Sequence, residues 1–109
     1  MNPENKYKQM PPVRVQRKRI KGFKMPPNTV YVGRPSKWGN PFLISNLISK
    51  GIPEGEALRL SLKKYKEWID YKISDGILNP QELRGKNLSC FCHINSPCHA
   101  DILLKKANL

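Results

Sequence analysis

The chain has 109 residues, the length of one ordinary domain, and 39% of them are hydrophobic, which allows a modest core and argues against wholesale disorder. No run of about 18 apolar residues is present, which excludes a membrane-spanning helix. Residues 1–6 also lack the apolar stretch of a signal peptide. We therefore expect a cytoplasmic protein that has no membrane partner.

Positive charge is concentrated in the first half of the chain, which has a formal net charge of +12 overall. Residues 1–50 hold 11 Lys and Arg against a single acid, Glu4, a balance of +10, whereas residues 51–109 hold 9 against 7 acids. A one-sided positive field favours a polyanion, so we expect a partner that is nucleic acid, a nucleotide or another phosphate-bearing molecule. The alternative is a basic tail that serves only solubility.

The first half is predicted to contain two short strands and a loop. Residues 1–12 are polar and end in two prolines, which predicts a flexible basic arm before a single domain over residues 13–109. Val13–Arg17 alternates apolar and polar residues as a strand does, and Thr29–Val32 is β-branched and aromatic. Arg34–Phe42 contains two prolines and a glycine, which is typical of a loop.

The second half is predicted to be helical around one further strand. Leu58, Leu62, Tyr65 and Ile69 recur at the helical interval, which indicates that one face of a long helix packs on the core. The predicted elements are a short helix over Leu43–Ser49, a long helix over Pro53–Ile73, a helical turn over Asn79–Arg84, a buried strand over Leu88–Cys92 and a helix over Pro97–Asn108. This order predicts a small α/β domain with a short, mostly parallel sheet flanked by helices.

All three cysteines and both histidines of the chain lie within the ten residues from Cys90 to His99. Thiolates and imidazoles are the ligands that zinc prefers, usually four in a tetrahedron. Cys90 and Cys92 would share one face of a strand, and Cys98 and His99 follow at a helix start. We predict that these four residues bind zinc, with His93 as a substitute ligand. The odd number of cysteines argues against a secreted disulfide framework.

Two other interpretations of the cluster stay open. In the first, Cys98 lies in the first turn of the last helix, where the helix dipole lowers the pKa of a thiol. It would then be a catalytic nucleophile, with His99 or His93 as its acid or base. In the second, the cysteines are small buried hydrophobic residues and His99 caps the helix.

A basic, aromatic loop over Gly33–Phe42 follows the second predicted strand. Ligands of open α/β sheets bind at the carboxyl ends of strands, where the cysteine cluster is also predicted to lie. We expect a substrate to be contacted across this crevice by four loop residues, Arg34 and Lys37 on phosphate, Trp38 stacked on a base, and Asn40. Alternatively, Trp38 anchors the loop to the core and Asn40 only forms a turn.

Three segments of the chain are familiar together: Arg17–Phe42 with its Gly-Arg-Pro-Ser-Lys-Trp-Gly-Asn-Pro-Phe run, Leu83–Cys92, and Pro97–Leu104. They resemble a bacterial and phage family described as domain of unknown function 4326, over about residues 13–108. The resemblance implies a stand-alone small domain, located in the host cytoplasm if a phage encodes it, and supplies no established activity. Members usually have Trp at the position of Phe91 and no His at position 93, which makes His93 the weakest ligand candidate.

The ending Cys98-His99 at a helix start is also similar to a second family, domain of unknown function 488. An acidic residue replaces Cys92 there, which would suit either metal ligation or catalysis.

Three functions are consistent with the sequence. The leading one is a small domain directed at nucleic acid or a nucleotide, with a Cys/His zinc site beside the basic loop. The second is a cysteine-dependent enzyme that uses Cys98 on a nucleotide or base-like substrate. The third is a phage-type interaction protein whose cysteines are structural.

Overall fold

Three short parallel strands form one sheet in the computed structural model, which describes residues 11–109. Strand β1 is Arg14–Gln16, β2 is Thr29–Tyr31 and β3 is Asn87–Cys90. Their order is β1-β3-β2, with β3 in the centre and parallel to both neighbours. The central strand is buried from its second residue onward, as expected for a parallel strand covered on both faces. The predicted small α/β domain with a parallel sheet is therefore confirmed.

Three α-helices and one 3₁₀ helix surround the sheet within the described residues. They are α1 (Ile44–Ser49), α2 (Glu54–Ser74), the 3₁₀ helix (Pro80–Leu83) and α3 (His99–Ala107). Asn79 caps the 3₁₀ helix, because its Oδ1 accepts a hydrogen bond of 3.0 Å from the Gln81 N–H. None of the helices in this part of the chain is long and apolar enough to span a membrane.

The core lies between α2, α3 and the sheet. Tyr65 and Ile69 of α2, Leu88 of β3 and Leu103 of α3 are all fully buried there. In its first half, α2 buries a different face from the one that the sequence predicts. The buried residues there are Ala57 and Ser61, each one position before the predicted Leu58 and Leu62. Small side chains at these positions let the loop before α1 pack against the helix, since the Ser61 hydroxyl donates to the Phe42 carbonyl at 2.6 Å.

Two predicted elements are shorter than the sequence pattern indicates, and both differences affect the cysteine cluster. Strand β3 ends at Cys90, because its neighbours make their last ladder bonds from the Val32 N–H to Ser89 and from the Arg17 N–H to Cys90. Phe91 and Cys92 therefore lie beyond the strand. Helix α3 begins at His99 and not at Pro97, since Cys98 is extended (φ −146°, ψ 152°) and forms the N-cap.

The arm predicted over residues 1–12 lies mostly outside the described residues. Its separation from a domain over residues 13–109 stays a prediction.

Replacing Tyr65 with Phe should destabilise the protein by roughly 1–2 kcal/mol, because the buried hydroxyl donates a 2.7 Å hydrogen bond to the Trp38 carbonyl. Burial also raises the pKa of Tyr65 well above its usual value, so the hydroxyl stays protonated in the folded state. Urea denaturation of Tyr65→Phe measures the loss. Tyr71→Phe is the matched control, because Tyr71 is exposed; equal losses in the two variants would contradict the role given to this bond.

Candidate metal centre and adjoining cleft

The three cysteines converge where β3 ends and α3 begins. Their sulfur atoms all lie within 4.8 Å of one another, and all three are free thiols. The Sγ atoms of Cys90 and Cys98 are 2.9 Å apart and buried, whereas Cys92 is exposed at the edge of the cluster. A group of this kind can hold a metal ion, because sulfur ligands at such spacings can share one soft cation.

The loop between Cys92 and Cys98 is fixed by side chains of β1. The guanidinium of Arg14 donates to the carbonyls of His93, at 3.0 Å, and Ile94. It also pairs with Asp101 of α3 at 3.3 Å, and the Arg14 side chain is only 7% exposed. Gln16 adds a bond, since its Oε1 accepts from the Ile94 N–H at 3.1 Å. The first strand thus holds the turn that returns Cys98 to the cluster.

His99 presents one ring nitrogen to the sulfur of Cys98, at the edge of this cluster. Its Nε2 lies 2.8 Å from the Val32 carbonyl, which can only accept a hydrogen bond, so Nε2 carries the proton. Nδ1 is then the unprotonated nitrogen, 3.5 Å from the Cys98 sulfur. Burial lowers the pKa of His99 and favours the neutral ring. A carbonyl that orients the imidazole in this way is the usual arrangement behind a metal-binding histidine.

His93 has no hydrogen bond to the sulfur atoms within the described residues. It is exposed, and its Nδ1 accepts a 3.1 Å hydrogen bond from the Asn95 N–H within its own loop. The substitute ligand suggested by the sequence therefore serves a local turn.

The pKa shifts of the three thiols favour a negative charge on Cys92, at the edge of the cluster. Hydrogen bonds from the thiols of Cys90 and Cys98, with the nearby positive charge of Arg14, lower the pKa of Cys92 far below its usual value. Hydrogen bonding to Cys92, together with burial, raises the pKa of Cys90. Hydrogen bonding to Cys90 and Cys92, together with burial, raises the pKa of Cys98. The low pKa expected for Cys98 is thus found at Cys92, and Cys98 itself is only 2% exposed. The catalytic roles suggested for Cys98 and His99 stay predictions.

A cleft of about 360 Å³ opens onto the cluster. Its floor includes the three cysteines and His99, and its apolar side comes from α1, α2 and the loop before them. Residues of the first half that line it include Arg19, Tyr31, Gly33, Arg34, Asn40 and Phe42. The structure therefore brings Arg34 and Asn40 into one cavity with the cysteines.

The other two loop residues proposed to contact a substrate do not line this cleft. Trp38 is 4% exposed and belongs to the core, so its prediction as a stacking surface is wrong. Its backbone carbonyl accepts a hydrogen bond from the hydroxyl of Tyr65, which is distant in sequence. This tertiary contact holds the loop against the core. Lys37 points elsewhere, since its ammonium pairs with Glu82 of the 3₁₀ helix at 2.7 Å.

Asn40 shapes the wall of the cleft through its amide. Its Nδ2 donates to the Ser61 hydroxyl at 2.8 Å, and its Oδ1 accepts from the Phe42 N–H at 2.9 Å. The loop also folds closely over Arg34, because a Cβ on Gly39 would lie 2.9 Å from the Arg34 Cγ. Glycine at this position is thus needed for the close approach that places Arg34 at the mouth.

A stack of arginines and aromatic rings beside the cleft was not predicted from the sequence. The Arg19 guanidinium lies 4.2 Å from the centre of the Phe91 ring, and Arg17 lies 4.8 Å from the centre of the Tyr31 ring. The two rings meet edge to face at 5.8 Å. The available signal was the Arg-Lys-Arg run directly after the first strand, together with an aromatic residue between two cysteines.

Comparison with known proteins matches residues 15–109 to one family, described as Domain of unknown function (DUF4326). The match covers β2, β3, all the helices and every residue of the cysteine cluster. No curated protein and no solved structure matches the chain. The similarity to domain of unknown function 488 stays a prediction.

Iodoacetamide should alkylate Cys92 faster than Cys90 or Cys98 in the metal-free protein, because Cys92 is exposed and has the lowered pKa. A lowered pKa keeps the thiolate as pH falls. Its rate should therefore hold between pH 7 and pH 6, where an ordinary thiol of pKa about 8.5 slows about tenfold.

Peptide mass spectrometry after timed quenching gives the rate at each cysteine. The guanidinium-unfolded chain is the control, in which the three sites should react at similar rates. Faster labelling of Cys98 in the folded protein would contradict this assignment and support Cys98 as the nucleophile.

Proposed function

The chain belongs to the family described as Domain of unknown function (DUF4326), and we propose that it is a zinc-binding domain that acts on a nucleotide or nucleic acid in the adjoining cleft. Cys90, Cys92, Cys98 and His99 are the proposed ligands. The observation that carries this proposal is the convergence of three sulfur atoms within 4.8 Å of one another, beside an unprotonated imidazole nitrogen.

One distance in the cluster matches a zinc tetrahedron, and a second is shorter. With Zn–S near 2.3 Å and Zn–N near 2.0–2.1 Å, neighbouring ligands of a tetrahedron lie about 3.5–3.8 Å apart. The 3.5 Å between the Cys98 sulfur and His99 Nδ1 fits this edge. The 2.9 Å between Cys90 and Cys98 is shorter and would open by about 1 Å on binding. Adjacent residues can both contribute because Cys98 is extended and only His99 has entered the helix.

Positive charge in the cleft supports the proposal that its ligand carries phosphate. Arg19 and Arg34 are exposed and line the cleft, on a chain of net charge +12 whose excess lies in its first half. Arg34 is the proposed phosphate contact from the loop. Lys37 lies outside the lining, and its exposed pair with Glu82 is weak enough to yield to a longer polyanion. Asn40 is proposed to set the shape of the wall.

One observation favours a second candidate, a cysteine-dependent enzyme. The exposed sulfur of lowered pKa, Cys92, opens into the cleft, and an activated thiolate facing a substrate is the requirement for nucleophilic catalysis. In this alternative Cys92 would attack the substrate. Cys98 would stabilise the Cys92 thiolate by a hydrogen bond, and His99 would contact Cys98. Bound zinc would block such a reaction, so the metal content of the protein separates the two candidates.

Purified protein should contain about one zinc per chain, measured by elemental mass spectrometry. Cys90→Ser and Cys98→Ser should lose the metal, because each removes a buried sulfur of the cluster. His93→Ala should retain it, since His93 is exposed and bonded within its own loop.

Cobalt titration of the metal-free protein provides a measurement that does not depend on the folding of core variants. Thiolate-to-cobalt charge-transfer bands should appear in the unchanged chain and weaken in Cys92→Ser, the exposed position. Folded protein that carries no metal and develops no such bands would overturn the zinc proposal.

A further inference from the structure

We propose that the cleft is a binding site for a nucleoside 5′-monophosphate, with the phosphate held between Arg19 and Arg34 and the base against the apolar wall around Phe42. This inference rests on the proposed function and specifies the substrate class of the same site. Arg19 is a proposed phosphate contact from outside the basic, aromatic loop over Gly33–Phe42.

The two arginines provide an anion site. Both line the cleft and both are exposed. Within residues 11–109 neither guanidinium takes part in a hydrogen bond or an ion pair, whereas the Arg14 guanidinium is fully engaged by Asp101 and two carbonyls. Two unpaired guanidinium groups on one cavity are suited to a phosphate dianion, which accepts several charge-assisted hydrogen bonds.

The position of Arg19 is fixed before any ligand binds. Its guanidinium rests on the face of Phe91 at 4.2 Å from the ring centre, so the donor edges remain available. Arg34 is positioned through its backbone, because the Tyr31 hydroxyl donates to its carbonyl at 2.7 Å. A guanidinium held in place, as that of Arg19 is on Phe91, loses little conformational freedom on binding, which favours affinity.

The remainder of the cleft suits a planar ring. An apolar part of the lining is formed by Phe42 of the loop, Leu43 and Ile44 at the start of α1, and Leu58 and Leu62 of α2. Because α2 buries Ala57 and Ser61 in the core, these two leucines are half-buried and line the cavity instead. Aromatic and aliphatic side chains of this kind stack on nucleobases without regard to sequence.

The size of the cleft favours a mononucleotide over a duplex. A volume of about 360 Å³ lies at the lower end of the range for small-molecule sites. A base inside a duplex is stacked and paired, and it would have to be flipped out to reach the cysteines at the floor. A free nucleoside monophosphate brings phosphate and base together at no such cost.

Isothermal titration calorimetry on the full chain, purified after incubation with zinc, tests the proposal with 5′-AMP, 5′-CMP, adenosine, ribose 5-phosphate, inorganic phosphate and a 12-base-pair DNA duplex. A 5′-monophosphate should bind at least about tenfold more tightly than adenosine or ribose 5-phosphate, since each lacks one of the two contacts. Arg19→Gln and Arg34→Gln should each weaken that binding about tenfold.

Lys21→Gln is the matched control, because Lys21 is exposed, lies in the same basic run and is absent from the cleft lining. It removes one charge and should leave affinity nearly unchanged. An equal loss in all three variants would show an effect of net charge and overturn the site. Equal affinity for ribose 5-phosphate and 5′-AMP, or tighter binding of the duplex, would also overturn it.

Zinc analysis of the same samples separates this inference from the proposed function. Zinc-loaded protein that ignores 5′-AMP would overturn the nucleotide site and leave the metal site standing. Protein that binds 5′-AMP through both arginines but takes up no zinc would uphold the nucleotide site and overturn the metal.

Discussion

Arg14 is a cation almost fully withdrawn from water, and its contacts explain how a short parallel sheet can hold a cluster of cysteines. Its guanidinium binds two carbonyls of the loop after β3 and the carboxylate of Asp101. Asp101 in turn accepts the N–H of Cys98 at 3.1 Å and so fixes the start of α3. A buried charge is tolerated only when it is paired and hydrogen-bonded. The Arg14 guanidinium therefore has to keep its contacts with the two carbonyls and with Asp101. Strand β1, the loop and α3 are thus joined through one side chain, and Cys98 is held beside Cys90.

The sequence predicted those parts of the fold that depend on local pattern. Alternating residues located β1, β-branched residues located β2, and the spacing of Tyr65 and Ile69 located α2. Three cysteines in nine residues also pointed to the cluster itself, which the sulfur positions support as a group that can hold a metal.

What the sequence did not predict depends on contacts between distant segments. Trp38 looks like a stacking residue in an exposed loop, and only the hydroxyl of Tyr65, 27 positions later, shows why it is drawn into the core. Arg14 looks like the solvated face of a strand, yet its partners lie about 80 positions away. The lowered pKa predicted for Cys98 is found instead at Cys92, because the pKa of each thiol depends on its burial and on the sulfurs it contacts. Local sequence carries none of these quantities.

The charge of the cluster has a consequence for the neighbouring arginines. Without metal, the lowered pKa of Cys92 and the raised pKa of Cys90 and Cys98 favour one thiolate and two protonated thiols, a total charge of −1. Zinc bound by three thiolates and a neutral imidazole also carries −1, because the ion's two positive charges replace two protons. Loading the site with zinc thus leaves the electrostatic field at Arg19 and Arg34 nearly unchanged. A phosphate bound there would be repelled by the same single negative charge with and without zinc. Metal and anion can therefore occupy adjacent parts of one cleft with little electrostatic coupling, and any strong coupling between them would have to arise from movement of the loop that Arg14 holds.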